Sequence, residues 1–487
     1  MLFNSYTFIF FFLPVAFLGY FLLNYNKKVE GAKVWLVASS LFFYSWWNVI
    51  YLPLILLSVL LNYKLSRVLI EDEEGSLFTK KQYFVVGLVL NISLLVYFKY
   101  MDFFITNVNF ISGENFELWH LALPLAISFF TLQQIAFLVD SYEGLVKEKN
   151  FLDYSLFVTF FPQLIAGPIV HHQEMMPQFS RLKNKLFNYK NIAAGVFIFS
   201  IGLFKKVVIA DSFSKWVHHG FDHSQTLTLI EGWVTSLAYT FQIYFDFSGY
   251  TDMAIGAALL FNIKLPQNFN SPYKATGIID YWQRWHMTLT IFITTYVYTP
   301  ILRSFSKITF FKAMFATFAA MFISGLWHGA GWTFIVWGSL HGFALMINHY
   351  WHKSKRKMSI FLAWFITFNF VNITGIFFRA ENLSQAKDIL QAMFTGNIML
   401  PIQLESRLVQ LKTYGVTFGS LMGTSRDFAL ATILIVISFF ISLVLKNSNE
   451  KIEDFKPSFL VLLLIVPMFI YSIYNMQDVS EFLYFNF

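Results

Sequence analysis

The chain of 487 residues contains no cysteine. That absence excludes a disulfide framework, a thiolate zinc centre and a cysteine nucleophile. Charge is also scarce: Asp, Glu, Lys and Arg make up 13% of residues, against about a quarter in soluble domains, while 56% are hydrophobic and the mean hydropathy is +0.55. A soluble globular domain is thereby excluded, and a polytopic membrane protein remains. No low-complexity linker and no internal repeat interrupts it. The opening MLFNSYTFIFFFLPVAFLGYFLL has no basic segment before its apolar run and no small-residue cleavage site after it, so it reads as a retained first helix. No H-x-x-x-H pair with a neighbouring carboxylate falls on a helix, so no metal is expected.

What is present is a series of apolar runs. A spanning helix needs about twenty mostly apolar residues. Candidate spans run from Tyr6 to Leu23, Val34 to Trp47, Tyr51 to Leu61, Tyr83 to Phe98, Leu121 to Val139, Asn191 to Ala210, Leu227 to Phe245, Ala313 to Trp327, Trp332 to Tyr350, Ser359 to Phe378, Phe428 to Leu445 and Ser458 to Tyr474. The fold class expected is an all-α integral membrane protein with about eleven to thirteen transmembrane helices, forming one polytopic domain over residues 1–487. Basic clusters at Lys27/Lys28/Lys33, Lys147/Lys149, Arg181/Lys183/Lys185/Lys190 and Lys353/Lys355/Arg356/Lys357, among others, mark the cytoplasmic loops and put both chain ends outside. Lys205 and Lys206 break this pattern near an outer helix end and read as an interior or snorkelling pair.

Two apolar stretches are broken by Pro and Gly: TFFPQLIAGPIVHHQ, and LPQNFNSPYKATGIIDYWQRWHMTLTIF from Leu265. Irregular backbone at membrane depth must be covered by protein or line a cavity, so both are expected to be re-entrant. The outer loop from about Arg379 to Arg426 carries Leu383, Ala386, Ile389, Leu390 and Met393 at helical spacing, the pattern of an interfacial amphipathic helix.

The stretch GLWHGAGWTFIVWGSLHG, Gly325 to Gly342, places two histidines in a run without Asp, Glu, Lys or Arg between Lys312 and Lys353. Burying an imidazole in lipid costs free energy unless it finds a partner or a water-filled cavity. His328 and His341 each lie within a small-xxx-small frame that lets helix backbones approach closely. For His341, tight packing with a hydrogen-bonded ring and a functional role weigh equally. For His328 function is favoured, because Gly329 and Gly331 break the helix and leave the ring at its end.

A third histidine lies in DYWQRWHMTLT. Asp280 and Gln283 have capping-box spacing, so a helix starting there would put Trp282, Trp285, His286 and Leu289 on one face with Arg284 elsewhere. Interfacial tryptophan packing is the plain alternative. His120, His171, His172, His218, His219, His223, His349 and His352 fall near helix ends or in loops and are expected to be solvated. Asp211, Asp246 and Asp252 flank apolar spans and are expected to be structural. The aromatic tail EFLYFNF is a liability unless it packs or docks.

Together, LPLAISFFTLQQIAFLVDSYEG, FPQLIAGPIV, GLFKKVVIAD, FQIYFDFSGYTDMAIG, LPQNFNSPYKA, DYWQRWHMTLT, GLWHGAGWTFIVWGSLHG and FFRAENLSQA resemble the membrane-bound O-acyltransferases. The resemblance is to the bacterial branch that O-acetylates alginate or peptidoglycan, with the D-alanyl transferase of teichoic acid more distant. It runs from about Leu121 to Met393. It implies that the family's invariant histidine is His328 and its second functional histidine is His286, with Trp282, Arg284, Trp285 and Trp327 near the substrate. Tyr281 and Gln283 stand where the family motif carries Phe and Arg. Phe482, Tyr484, Phe485 and Phe487 reproduce a C-terminal F-x-Y-F-x-F signature in which the tyrosine carries the acyl group.

The resemblance further implies acetyl-CoA as donor substrate, with no cofactor. It implies a multi-pass protein of the bacterial cytoplasmic membrane, an envelope polysaccharide as final acceptor, and an extracytoplasmic SGNH esterase-like acetyltransferase as partner, with no nucleic acid involved. This chain has no G-x-S-x-G elbow to complete the transfer itself. Acetyl-CoA cannot enter hydrocarbon, so the chemistry asks for a cavity, narrow at mid-depth, that ends at a histidine. The rival reading is a transporter or flippase that uses broken helices to move an intact substrate.

Overall fold

The computed structural model describes residues 1–71, 78–476 and 483. Nearly all regular structure is helical, and each expected span falls largely on a helix, although the Leu121–Val139 span becomes helical only from Ile127. Among the described residues, seven helices are long and apolar enough to cross a membrane unaided: Phe8–Tyr25, Val49–Glu71, Lys80–Ser112, Tyr189–Asp222, Phe310–His328, Ile360–Arg379 and Ser425–Leu443. Several run well past the expected bounds. The helix from Lys80 starts earlier than hydropathy suggests because Thr79 and Gln82 form a reciprocal capping box, and it stops at Gly113, whose φ of +75° no β-carbon-bearing residue adopts readily.

The chain packs as two compact units, each built from separated stretches. One comprises Met1–Leu203 and Tyr250–Gln267 with the stretch from Ile452; the other comprises Phe204–Gly249 and Asn268–Lys451.

The first unit shows why so much phenylalanine is present. Phe3, Phe8, Phe12, Phe43, Phe161 and Phe199 form a buried ring cluster with centroids 4.8–6.2 Å apart. Such tilted and edge-on pairs add to simple burial where lipid offers no hydrophobic gain. Polar residues tie the helices where rings do not. Asn62 and Asn91 exchange hydrogen bonds of 3.3 and 2.7 Å, and Gln134 donates to Ser58 and accepts from Tyr154. The broken segment around Pro162 is two short helices, Phe151–Thr159 and Phe161–Leu164, and is buried throughout its irregular part, as covered backbone requires.

In the second unit the expected interfacial helix forms as Leu383–Thr395, but its apolar face has a protein partner. Ala386, Ile389, Ala392 and Met393 are buried, and Gly232 of the Leu229–Leu260 helix leaves room for Met393 while Trp233 donates to the Met393 carbonyl at 2.9 Å. Helical spacing identified the apolar face; it could not say that protein, rather than lipid, covers it.

Candidate active site

The site is built on a helical hairpin in the second unit. The Phe310–His328 helix begins with Thr309 accepting from the Lys312 amide and ends at His328, where Gly329 turns extended. The Trp332–Lys353 helix then folds back against it. The two backbones touch: a β-carbon on Gly338 would lie 2.7 Å from the Met321 carbonyl oxygen and 2.9 Å from the Gly325 Cα. One on Gly342 would lie 2.9 Å from the Phe318 ring. The small-residue frames around the histidines are therefore points of close helix approach, and they fix where both rings sit.

His328 is 2% exposed. Its ring is surrounded by Trp327, Trp337 and Phe378, with centroids at 4.9, 5.1 and 5.1 Å.

His341 is bonded at both nitrogens. Trp282 donates its indole N–H to Nδ1 at 3.3 Å, so Nδ1 is the acceptor and the proton resides on Nε2, which meets the Thr374 hydroxyl at 3.0 Å. The packing alternative thus describes His341, and its ring does more than fill space. Trp337 lies between the two histidines, 4.8 Å from His341 and 5.1 Å from His328, so the chain of contacts runs from His328 through Trp337 and His341 to Trp282.

The segment bearing Trp282 departs from expectation. One continuous helix would have put Trp282, Trp285, His286 and Leu289 on a shared face. The structure instead has a short helix, Ile278–Trp282, a turn, and a second helix from Met287. Asp280 lies within the first helix and is no N-cap. It accepts from the Thr276 amide at 3.2 Å and from Arg284 Nε at 2.6 Å. The break occurs because LPQNFNSPY pairs with this turn: Asn270 N donates to the Arg284 carbonyl, and Met287 N to the Asn268 carbonyl. His286 itself adopts left-handed backbone, φ +43°.

His286 is fully buried, edge-on to Phe247 at 4.8 Å. Its Nδ1 donates to Asn268 Oδ1 at 3.1 Å, an oxygen that also accepts from the Thr288 amide and hydroxyl. Of the expected substrate-contacting residues, Trp282 joins the histidine pair and Trp327 flanks His328. Trp285 stacks on Tyr281 and meets Phe269 edge-on, while Arg284 is engaged by Asp280 and the Asn270 carbonyl. Tyr484, Phe482, Phe485 and Phe487 lie outside the described residues.

A cavity of about 280 Å³ opens beside this constellation. Its walls include Trp282, Leu289 and Thr290 on one side and Thr317, Met321 and Ser324 on the other. Thr317, Met321 and Ser324 line it at helical spacing, and His328 lies one turn beyond Ser324 on the same stripe of that helix.

These features match a known family. The sequence profile of the membrane-bound O-acyltransferase family fits residues 4–380. The chain belongs to that family. Among its relatives, a peptidoglycan O-acetyltransferase of Helicobacter pylori is 46% identical, over 100% of this chain and 98% of that protein. A probable alginate O-acetylase of Azotobacter vinelandii is 35% identical over 81% of this chain and 78% of its own length. A teichoic acid D-alanyltransferase of Bacillus subtilis is 26% identical over 51% of this chain and 66% of its own. As a membrane-bound O-acyltransferase the protein is an enzyme that moves acyl groups, and its apolar helices make it a multi-pass membrane protein.

Two ionic features escaped the sequence reading in part. Lys206, 2% exposed, pairs with Asp211 at 2.8 Å and Asp246 at 2.7 Å, so it is an interior lysine rather than a snorkelling one, and both aspartates have the structural role expected. In the first unit His172, expected to be solvated, is 5% exposed and bonded through Nδ1 to Asp140 at 3.1 Å. The Pro–Gly break preceding it is buried, as expected for covered backbone, and the histidine that follows it is buried as well.

Proposed function

We propose that the protein takes acetyl from cytoplasmic acetyl-CoA and passes it across the bacterial inner membrane for O-acetylation of an envelope polysaccharide, peptidoglycan first and alginate or another exopolysaccharide second. The observation that carries this reading is the buried His328 at a broken helix end, linked through Trp337 and His341 to Trp282, which lines the neighbouring cavity. The full-length 46% identity to a peptidoglycan O-acetyltransferase supports the choice of acceptor.

In this mechanism His328 is the general base. An imidazole titrates near pH 6.5, about working pH, and takes the acceptor's hydroxyl proton as that oxygen attacks the thioester carbonyl. The carbon–sulfur bond breaks, and the CoA thiolate leaves with the proton from His328. His286, locked on Asn268, is a positioning residue that orients the thioester segment. Tyr484 is the intermediate acceptor: phenol, with a pKa of about 10, is a far better leaving group than a sugar alkoxide, so an acetyl-tyrosine hands its group onward. An extracytoplasmic esterase-like acetyltransferase completes the transfer to the polymer.

The test is release of free CoA from acetyl-CoA by the purified protein. Wild type releases CoA; His328→Ala, monodisperse and membrane-inserted, does not. Retained release in that variant rules out His328 as the base, and vectorial substrate movement without thioester cleavage would establish the transporter reading instead. Intact mass after incubation with acetyl-CoA should show one acetyl adduct that Tyr484→Phe loses.

A further inference from the structure

A second cavity, of about 860 Å³, lies in the first unit, within the range of small-ligand sites. Its lining includes Lys147, Glu148, His172, Gln173 and Arg181. Lys147 and Arg181 are exposed and, among the described residues, carry no ion pair or side-chain hydrogen bond. Glu148 is engaged: its Oε1 accepts from the amides of Lys149 and Asn150, each at 3.0 Å.

His172 is the second, independent observation. It opens the His172–Ser180 helix, and its side chain is 6% exposed. Asp140 can only accept at the 3.1 Å contact, so the neutral imidazole keeps its proton on Nδ1 and presents a lone pair at Nε2. That Nε2 is buried and has no hydrogen-bond partner among the described residues. A buried acceptor left unsatisfied is costly, which favours a ligand that supplies a donor.

We propose that this cavity binds a phosphate ester bearing a neighbouring hydroxyl group, with Lys147 and Arg181 pairing with the phosphate oxygens and His172 Nε2 accepting from the hydroxyl. Arg and Lys at the rim suit phosphate through charge-assisted bonds, and the first turn of the His172–Ser180 helix adds its positive end. Nothing in this site depends on His328 chemistry, so the proposal stands apart from the acetyl-transfer reading. Two sources supply such a ligand: the headgroup of phosphatidylglycerol, or a soluble sugar phosphate.

Full-length protein would be studied in two arms. Native mass spectrometry compares dimyristoyl phosphatidylglycerol with dimyristoyl phosphatidic acid, which lacks the headgroup hydroxyl. Calorimetry compares ribose 5-phosphate with inorganic phosphate. In one arm the hydroxyl-bearing ligand binds at least tenfold tighter than its partner, and Lys147→Gln/Arg181→Gln, both at exposed positions, weakens it at least tenfold. Preference in the lipid arm assigns a lipid headgroup; preference in the soluble arm assigns a sugar phosphate. No binding in either arm, no hydroxyl preference, or binding unaltered in the double variant overturns the proposal.

Discussion

Replacing Lys206 by methionine tests how the buried charges of the second unit are held. The lysine is 2% exposed and Asp246 is 1% exposed, with 2.7 Å between their charged atoms. At an effective dielectric of about 20 that separation is worth roughly 6 kcal/mol of attraction before desolvation. Lys206→Met strands the Asp246 carboxylate in the interior, whereas Asp211, 19% exposed, can rehydrate. Removing one partner of a buried pair costs about 3–5 kcal/mol, and that range is expected here. Asp246→Leu should cost less, because Lys206 keeps Asp211 at 2.8 Å. The double variant Lys206→Met/Asp246→Leu should recover most of the loss. Unfolding in mixed dodecyl maltoside and SDS micelles, followed by tryptophan fluorescence, measures all three. A Lys206→Met cost below about 1 kcal/mol, or a double variant equal to the sum of the singles, refutes the reasoning.

Gly338→Ala should destabilise the hairpin by about 1–3 kcal/mol, since its β-carbon meets backbone 2.7 Å away; a thermal shift indistinguishable from wild type would contradict the close approach. Trp282→Phe removes the donor to His341 Nδ1, leaving a buried acceptor, and kcat for CoA release should fall about tenfold with KM little changed. An unaltered kcat would separate Trp282 from the reaction. Asn268→Leu leaves His286 Nδ1 and both Thr288 donors without their shared oxygen, and expression with full thermal stability would argue against that anchor.

Much of the site was legible because membrane-grade sequence makes polar residues conspicuous. His328, His341 and the glycines beside them stood out against a run without formal charge, and the glycine spacing correctly announced backbone contact. The DYWQRWH segment was legible in composition but not in conformation. Its spacing read as one helix, and what overrules that is a strand-like partner, Asn268–Asn270, whose pairing with Arg284 and Met287 no local pattern reveals. His172 was misjudged for the same reason: its partner Asp140 sits on another helix, and burial depends on what covers the loop. The Leu383–Thr395 helix was read correctly as amphipathic and placed against the wrong medium, since lipid and a neighbouring helix ask for the same apolar face.

The touching backbones at Gly325 and Gly338 also decide which door can open. Two of the rings around His328, Trp327 and Trp337, ride on that clamped hairpin, whose touching backbones hold their Cα positions. Phe378 alone of the three belongs to the Ile360–Arg379 helix, at its final turn, where the backbone frays most easily. If entry to the histidine runs past Phe378, deuterium uptake around Phe378 should outpace uptake around Gly325; the reverse order would place the door elsewhere.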